Sequence, residues 1–198
     1  MGRVTCNVSV SVDGFVAGPR QSMENPLGEG GMRLHKWHFP AQGEDQRVVD
    51  EWQQTSGAYI MGRNMFSAGR GEWDPDWKGW WGDEPPYHAP VFVLTHYPRE
   101  SLEMAGGTTF HFVTDGLQSA LEQAQAAAGG KNVEIAGGAC TINAYLAAGA
   151  IDELHLHIAP VLLGAGERLF DGVPPELRLE PAQVIGSPGV THVKYRVG

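Results

Sequence analysis

Three short segments end in groups that suit a phosphate. Ile60-Met61-Gly62-Arg63 closes a buried apolar run with a glycine and an arginine, whose planar fork can grip a phosphate or pair with a carboxylate. Leu94-Thr95-His96 offers a hydroxyl and an imidazole, with Arg99 shortly after. Val133 to Ala136 runs into Gly137-Gly138 and then into a helix beginning near Cys140-Thr141, which presents unobstructed backbone N–H groups at a helix start. Each segment alone has a bland reading, as a tight turn or a surface arginine. Together they suggest a dinucleotide laid across the carboxyl ends of several sheet strands. Gly164-Ala165-Gly166-Glu167-Arg168-Leu169 imitates a dinucleotide fingerprint, but Leu169 replaces the third glycine and Pro160 disrupts the strand before it, so it is rejected.

Other groups invite other chemistry. His155 and His157 are two apart on a strand, hence on one face, and with Glu153 they could hold a metal; a solvated or partner-facing strand is the plainer reading. His35 and His38 flank Trp37 in a long loop and read either as a pocket wall or lid, or as simple loop packing. Trp73, Trp77, Trp80 and Trp81 crowd one Gly, Pro and Asp-rich segment and must bury in a satellite core, a subunit interface or a lid.

The elements that must position these groups follow from periodicity. Val4 to Val12 alternates, with Val4, Cys6, Val8, Val10 and Val12 on one side and Thr5, Asn7, Ser9 and Ser11 on the other, before the Asp13-Gly14 turn. Ala17 to Gly43 is a long loop, and loops of that length are usually functional or mobile. Helices are expected over Glu44–Thr55, Leu117–Ala128 and Thr141–Ala148, and strands at 58–61, 91–95, 110–114, 133–136, 154–159, 177–185 and 190–197. Strands alternating with helices give an α/β fold with a mostly parallel central sheet and helices on both faces. The last two strands, joined by Gly186-Ser187-Pro188-Gly189, make an antiparallel edge hairpin.

Composition narrows the function classes. At 198 residues the chain is expected to form a single domain over 1–198. With 42% hydrophobic and 19% charged residues it must fold rather than stay disordered. A net charge of −9 without a Lys/Arg run argues against nucleic acid as partner. Two cysteines, Cys6 and Cys140, make no disulfide framework, and no window approaches a membrane span, so a cytoplasmic protein is expected.

Taken in order, Ser11-Val12-Asp13-Gly14, Ile60-Met61-Gly62-Arg63, Val93-Leu94-Thr95, Ala136-Gly137-Gly138, Ile151-Asp152-Glu153-Leu154, Pro160-Val161-Leu162-Leu163-Gly164 and Leu169-Phe170 resemble the dihydrofolate reductase-like superfamily. The chain is most similar to the branch of the C-terminal reductase domain of bifunctional riboflavin biosynthesis (RibD) enzymes. That resemblance implies a three-layer dihydrofolate reductase-like fold, NADPH as cofactor and a homodimer. It places Gly62, Arg63, Asn64 and Met65 at the phosphates or the adenosine 2′-phosphate. Thr95 and His96 would flank the adenosine, and Gly137, Gly138, Ala139, Cys140 and Thr141 would hold the pyrophosphate. Arg63 and Arg99 could then discriminate NADPH from NADH, because a 2′-phosphate adds charge that a fork-shaped donor binds well. Counted back from Gly62-Arg63, the position where dihydrofolate reductases keep their pteridine-binding carboxylate falls on Gln46, which argues against folate; Asp45 or Asp50 could serve if the helix is shifted.

The resulting expectation is hydride transfer from NADPH to a carbonyl or imine carbon of a small heterocyclic or ribosyl-type molecule, as in 5-amino-6-(5-phosphoribosylamino)uracil reductases. Asp13 is the first candidate to orient the substrate or relay a proton, or else it caps the Gly14 turn, and Asp50 is the second candidate. Trp37, His38, Phe66 and Leu163 would line the substrate pocket. A nucleotide-binding module without turnover and a metal enzyme built on His155 and His157 are the alternatives.

Overall fold

The computed structural model describes residues 2–69 and 71–198. In chain order the elements are β1 (Val4–Ser11), β2 (Phe15–Ala17), α1 (Glu44–Thr55), β3 (Ser56–Gly62), α2 (Arg63–Phe66), β4 (Pro90–Leu94), β5 (Leu102–Glu103), β6 (Thr109–Val113), α3 (Leu117–Ala127), β7 (Asn132–Gly137), α4 (Ala139–Ala147), β8 (Glu153–Ala159), β9 (Glu167–Arg168), β10 (Leu179–Gly186) and β11 (Thr191–Val197). Among the described residues one large sheet runs in the order β10-β11-β8-β1-β7-β3-β4-β6-β5. Its inner strands, from β8 to β6, pair in parallel; β11 and β10 close one edge as an antiparallel hairpin and β5 closes the other.

The alternation in β1 divides the two faces. Val4, Cys6 and Val10 join Ile60, Phe92, Val133, Ile135, Leu154 and Leu156 beneath α3 and α4, which contribute Ala120, Leu121, Ala124, Ile142, Tyr145 and Leu146. Tyr145 Oη donates to Leu117 O at 2.8 Å, so even the polar tip of that core is satisfied. The opposite face carries Thr5, Asn7, Ser9 and Ser11, all buried. It is covered at one end by α1 and the loop before it, and at the other by the tryptophan segment.

That segment resolves as a satellite core of this chain. Trp73, Trp77 and Trp81 pack with Tyr59, Met61, Phe66, Val91, Val93 and Phe110 over β3, β4 and β6. The structure corrects the sequence at smaller points. β1 stops at Ser11, and Val12 is exposed. The long loop is not irregular throughout: β2 pairs with β9, and Gly31–His35 forms a 3₁₀ turn. β9 falls in the segment that imitates a dinucleotide fingerprint; two- and three-residue strands carry too few alternating positions to register as periodicity.

Candidate functional site

The carboxyl ends of β3 and β7 are brought together by the absence of side chains. Gly62 pairs with Leu94 on one side, and Met61 pairs with Gly137 on the other. A Cβ added at Gly62 would run into Thr141 Oγ1, so only glycine lets the turn into α2 lie against the first turn of α4. Gly137 holds φ +135, a conformation open to glycine. Gly138 and Cys140 are exposed, and nothing lies within 4 Å of a Cβ added at Gly138. The first N–H groups of a helix point away along its axis, and at α4 those belong to Ala139 and Cys140, since Thr141 and Ile142 N–H turn back to Gly138 O at 3.1 Å. The rim fits the phosphates of a dinucleotide: two backbone turns in contact, an open glycine and a helix N-terminus. The outer side of α4, with Ala139, Cys140, Asn143 and Arg168, borders a recess of about 370 Å³.

Arg63 begins α2 at this junction. Its guanidinium lies 3.9 Å over the Trp73 ring and 5.1 Å from that of Tyr97, and Nε donates to Gly69 O at 3.3 Å. Asn64 beside it is exposed, whereas Met65 places its sulfur against Gly137. Thr95 is buried and its hydroxyl accepts from Tyr97 N at 3.1 Å; His96 is exposed at the end of β4. Arg99 departs from its expected place at the adenosine phosphate. Nη2 donates to Trp77 O at 2.7 Å and to Pro75 O at 3.1 Å, which pins the tryptophan segment, and burial pulls its pKa below the usual guanidinium range. Phe66 departs likewise from the pocket wall: it is fully buried, edge-on to Trp73, Phe110 and Phe112.

Neither expected catalytic carboxylate is placed for proton transfer. Asp13 accepts from Gly164 N at 2.7 Å and Leu163 N at 3.2 Å. Its pKa is lowered to about 2, first by the Ser11 hydroxyl and then by those backbone bonds, so it remains a carboxylate that ties β1 to the loop after β8. Leu163 is half-buried in that loop, its side chain against Gly30. Asp50 is exposed on α1 and accepts from Gln46 Nε2 at 2.7 Å. The inward carboxylate of α1 is Asp45, four and seven residues before Val49 and Trp52 and hence on the same helical face.

Between α1 and the polar sheet face lies a cavity of about 430 Å³, its wall including Thr5, Asn7, Trp52, His155, His157 and His192. Trp37 is buried beside two of its wall histidines. The indole N–H donates to Ser9 Oγ at 3.0 Å, and the ring packs 4.8 Å from His157, 5.0 Å from His192 and 5.1 Å from His38. Burial holds the His38 imidazole below its usual pKa, and with the nearby His38 it brings His35 down to about 4. Asp45 Oδ1 meets His192 Nε2 at 3.0 Å, and His192 Nδ1 meets His157 Nδ1 at 2.8 Å. Burial, followed by the charges of neighbouring histidines, drives the His157 pKa well below the usual imidazole range, so it is neutral at pH 7. Deeper in the sheet, fully buried Glu134 accepts from the Thr5 hydroxyl and from the Asn7 backbone and side-chain N–H groups, and burial raises its pKa to about 7. Asn7 Oδ1 in turn accepts from His155 Nδ1 at 3.0 Å.

His155 and His157 do share a face, but their ring nitrogens turn to Asn7, Glu153 and His192. Among the described residues no group of three or more His, Cys, Asp and Glu side chains gathers as a ligand set. No helix of the described residues is long and apolar enough to cross a membrane. The register joins the cavity to the rim. Thr5 pairs with Glu134 on β7, the strand that ends in the Gly137 rim, and Ser9 pairs with His157, which pairs with His192. Asp45 is one of the two helix carboxylates named from the sequence, whereas Glu134 is not, although a carboxylate inside Val133-Glu134-Ile135 is a visible signal.

A mostly parallel sheet with a glycine-built rim and an adjacent cavity under a helix is the dihydrofolate reductase-like architecture. Within it, the chain belongs to the RibD C-terminal domain family, whose profile matches residues 3–191. Among solved structures, it is similar to a protein of Shewanella sp. PV-4 assigned to riboflavin biosynthesis, at 23% identity and TM-score 0.69, with 99% of each chain covered. Acinetobacter baumannii RibD matches all of this chain with 58% of its own longer one, at 21% identity and TM-score 0.65. Dihydrofolate reductase of Enterococcus faecalis, solved with NADP(H), matches at 14% identity and TM-score 0.60, covering 100% of this chain and 97% of its own. No curated protein sequence matches.

Proposed function

We propose that the protein is a cytoplasmic NADPH-dependent reductase of a small heterocyclic or ribosyl-type molecule, in the manner of 5-amino-6-(5-phosphoribosylamino)uracil reductases. The observation that carries this reading is the contact of Gly62 with Thr141, which sets the Arg63 turn against the start of α4. When bound, NADPH supplies the hydride. Gly62, Asn64, the N–H groups of Ala139 and Cys140, and Thr141 hold its phosphates, and Arg63 takes the 2′-phosphate. Thr95 and His96 border the adenosine. Trp37 and His38 wall the substrate's seat, and their rings keep water from it.

A thermal shift with NADPH and NADH in parallel tests the reading. Saturation at ~100 times the dissociation constant adds about 2.7 kcal/mol of stability. NADPH is expected to stabilise more than NADH, and Arg63→Ala to equalise the two. No response to either nucleotide removes the cofactor assignment; stabilisation with no nicotinamide oxidation by any carbonyl or imine substrate favours the module without turnover. The homodimer belongs to this proposal and is tested by sedimentation.

A further inference from the structure

Trp37 holds a buried position that the rest of its loop does little to secure. Among the described residues, the bond from its indole N–H to Ser9 Oγ at 3.0 Å is the one hydrogen bond between residues 36–42 and the sheet. The other bonds of the segment are local: His38 N donates to His35 O, and Gln42 O accepts from Asp45 N. Its apolar packing is a small cluster of Trp37, Val49 and Val190, with Ala41 at the margin. On either side the chain is fixed, by fully buried Leu34 and by α1. Gly43 joins the segment to α1 at φ +57, a conformation open to glycine, and nothing lies within 4 Å of a Cβ added there. The segment is built as a flap with an uncrowded swivel at one end.

The indole lies on a polar floor. Ser9 pairs with His157, which pairs with His192, and the ring packs 4.8 and 5.0 Å from those two imidazoles. What this floor accepts is shown by its occupant: a flat aromatic ring that donates one N–H to the Ser9 hydroxyl, whatever the charge of His192. Along β1 the polar face offers Thr5 and Asn7 to the cavity wall, then Ser9 to Trp37. Trp37 therefore stands between the cavity and the carboxyl ends of the parallel strands, the end of the sheet that carries the glycine rim. A molecule in the cavity meets a nicotinamide at the rim only with the indole out of the way, since hydride transfer needs the reacting atoms about 3–3.5 Å apart.

We propose that Trp37 is a built-in plug: its indole fills a slot that receives a planar, N–H-bearing heterocycle of the substrate, and residues 36–42 swing out as a flap to admit it. The assignment rests on reading this face as the substrate's seat. The incoming ring takes over the Ser9 hydroxyl from the indole, so that hydrogen bond is exchanged and not lost. Affinity is lowered by the fraction of molecules in which the flap is open.

The test uses the full chain without cofactor and uracil as the probe, a planar heterocycle with ring N–H groups. Trp37 is followed by the NMR signal of its indole proton, and binding by stopped flow and calorimetry. Wild type is expected to bind with the Trp37 indole proton moving to an exposed, fast-exchanging position. The binding rate should level off with rising uracil concentration, at the opening rate of the flap. Trp37→Ala removes the plug; with an open state of about 10% or less in wild type, it should bind at least about tenfold more tightly and without the plateau. Trp37→Phe, which keeps a ring and loses its tie to Ser9, should fall between the two. Tightest binding by wild type would make Trp37 a structural wall and overturn the proposal. So would wild-type binding with the Trp37 indole undisturbed, which needs no variant to fold, or no binding by any of the three proteins. The NADPH thermal shift on the same samples reports the cofactor rim separately, so a failure here is distinguishable from a failure of the reductase reading.

Discussion

One face of one sheet is finished in two ways. Over β3, β4 and β6 the tryptophan segment seals it: Phe66 is wholly buried against aromatic edges, and Trp73 and Trp77 donate their indole N–H groups to Tyr97 O and Phe66 O at 2.8 and 2.9 Å. Over β1, β8 and β11 the side chains are Thr5, Asn7, Ser9, His155, His157 and His192, and α1 stands off to leave about 430 Å³. The sealed end buries apolar rings and satisfies most of their polar tips. The open end buries polar groups around a cavity, and among the described residues unmatched polar atoms occur at both ends: His157 Nε2 and Trp52 Nε1 at the open one, Trp80 Nε1 and Arg99 Nη1 at the sealed one. What separates the two ends is the open volume beside the polar row, where a ligand can enter without disturbing the aromatic packing.

The largest effect expected from breaking this contrast is at Phe66. Phe66→Ala leaves a cavity among Trp73, Phe110 and Phe112 and should cost about 3–5 kcal/mol in denaturant unfolding. A loss below about 1 kcal/mol would show that the aromatic end is not the anchor described here.

Glu134 sharpens the contrast at the boundary between the two ends. Its folded pKa, about 7, is raised above the unfolded carboxyl value by burial, so the folded state holds its proton longer than the unfolded one. Its contribution to stability is complete below about pH 4.5 and is lost as pH rises through about 7. The loss amounts to about 3 kcal/mol across that window. Several depressed histidines give slopes of the opposite sign, so the measurement is a difference: wild-type stability minus that of Glu134→Gln, from pH 4 to 8. It should fall with rising pH, and a flat difference would remove Glu134 as the titrating group.

What the sequence discloses about these regions depends on how local the determining signal is. Helix α1 is found at its observed bounds because acidic residues in its first turn and the Val48, Val49, Trp52 spacing are contiguous. The alternation of β1 reveals the polar face before any partner strand is known. The Gly62 and Gly137 junctions are equally local. His192 is not: its role comes from pairing with His157, 35 residues earlier, and no spacing encodes that register. Arg99 fails for the same reason, since its partners are carbonyls of a segment that folds back from more than 20 residues away. The helical period already separates the two carboxylates, placing Asp45, not Asp50, in line with Val49 and Trp52. Asp13 is conspicuous beside its glycine, but its carboxylate is consumed by the backbone of residues 163 and 164, a closure that only the fold shows.

The smallest expected effect lies at the hydroxyl that seats Trp37. Ser9→Ala removes the acceptor of the Trp37 indole N–H, a bond made within the buried polar row beside His157. The cost should be about 1 kcal/mol, the ordinary net worth of one hydrogen bond plus part of the penalty for stranding its donor. Because Trp37 packs over His157 and His192, the same change should speed solvent exchange of its indole proton while leaving those of Trp73 and Trp77, held by carbonyls at the sealed end, as they are. Faster exchange at all three indoles would mean that the two ends open together, and the separation of stability from binding along this face would be wrong. Faster exchange at Trp37 alone would make its loop a part of the structure that opens independently of the tryptophan segment.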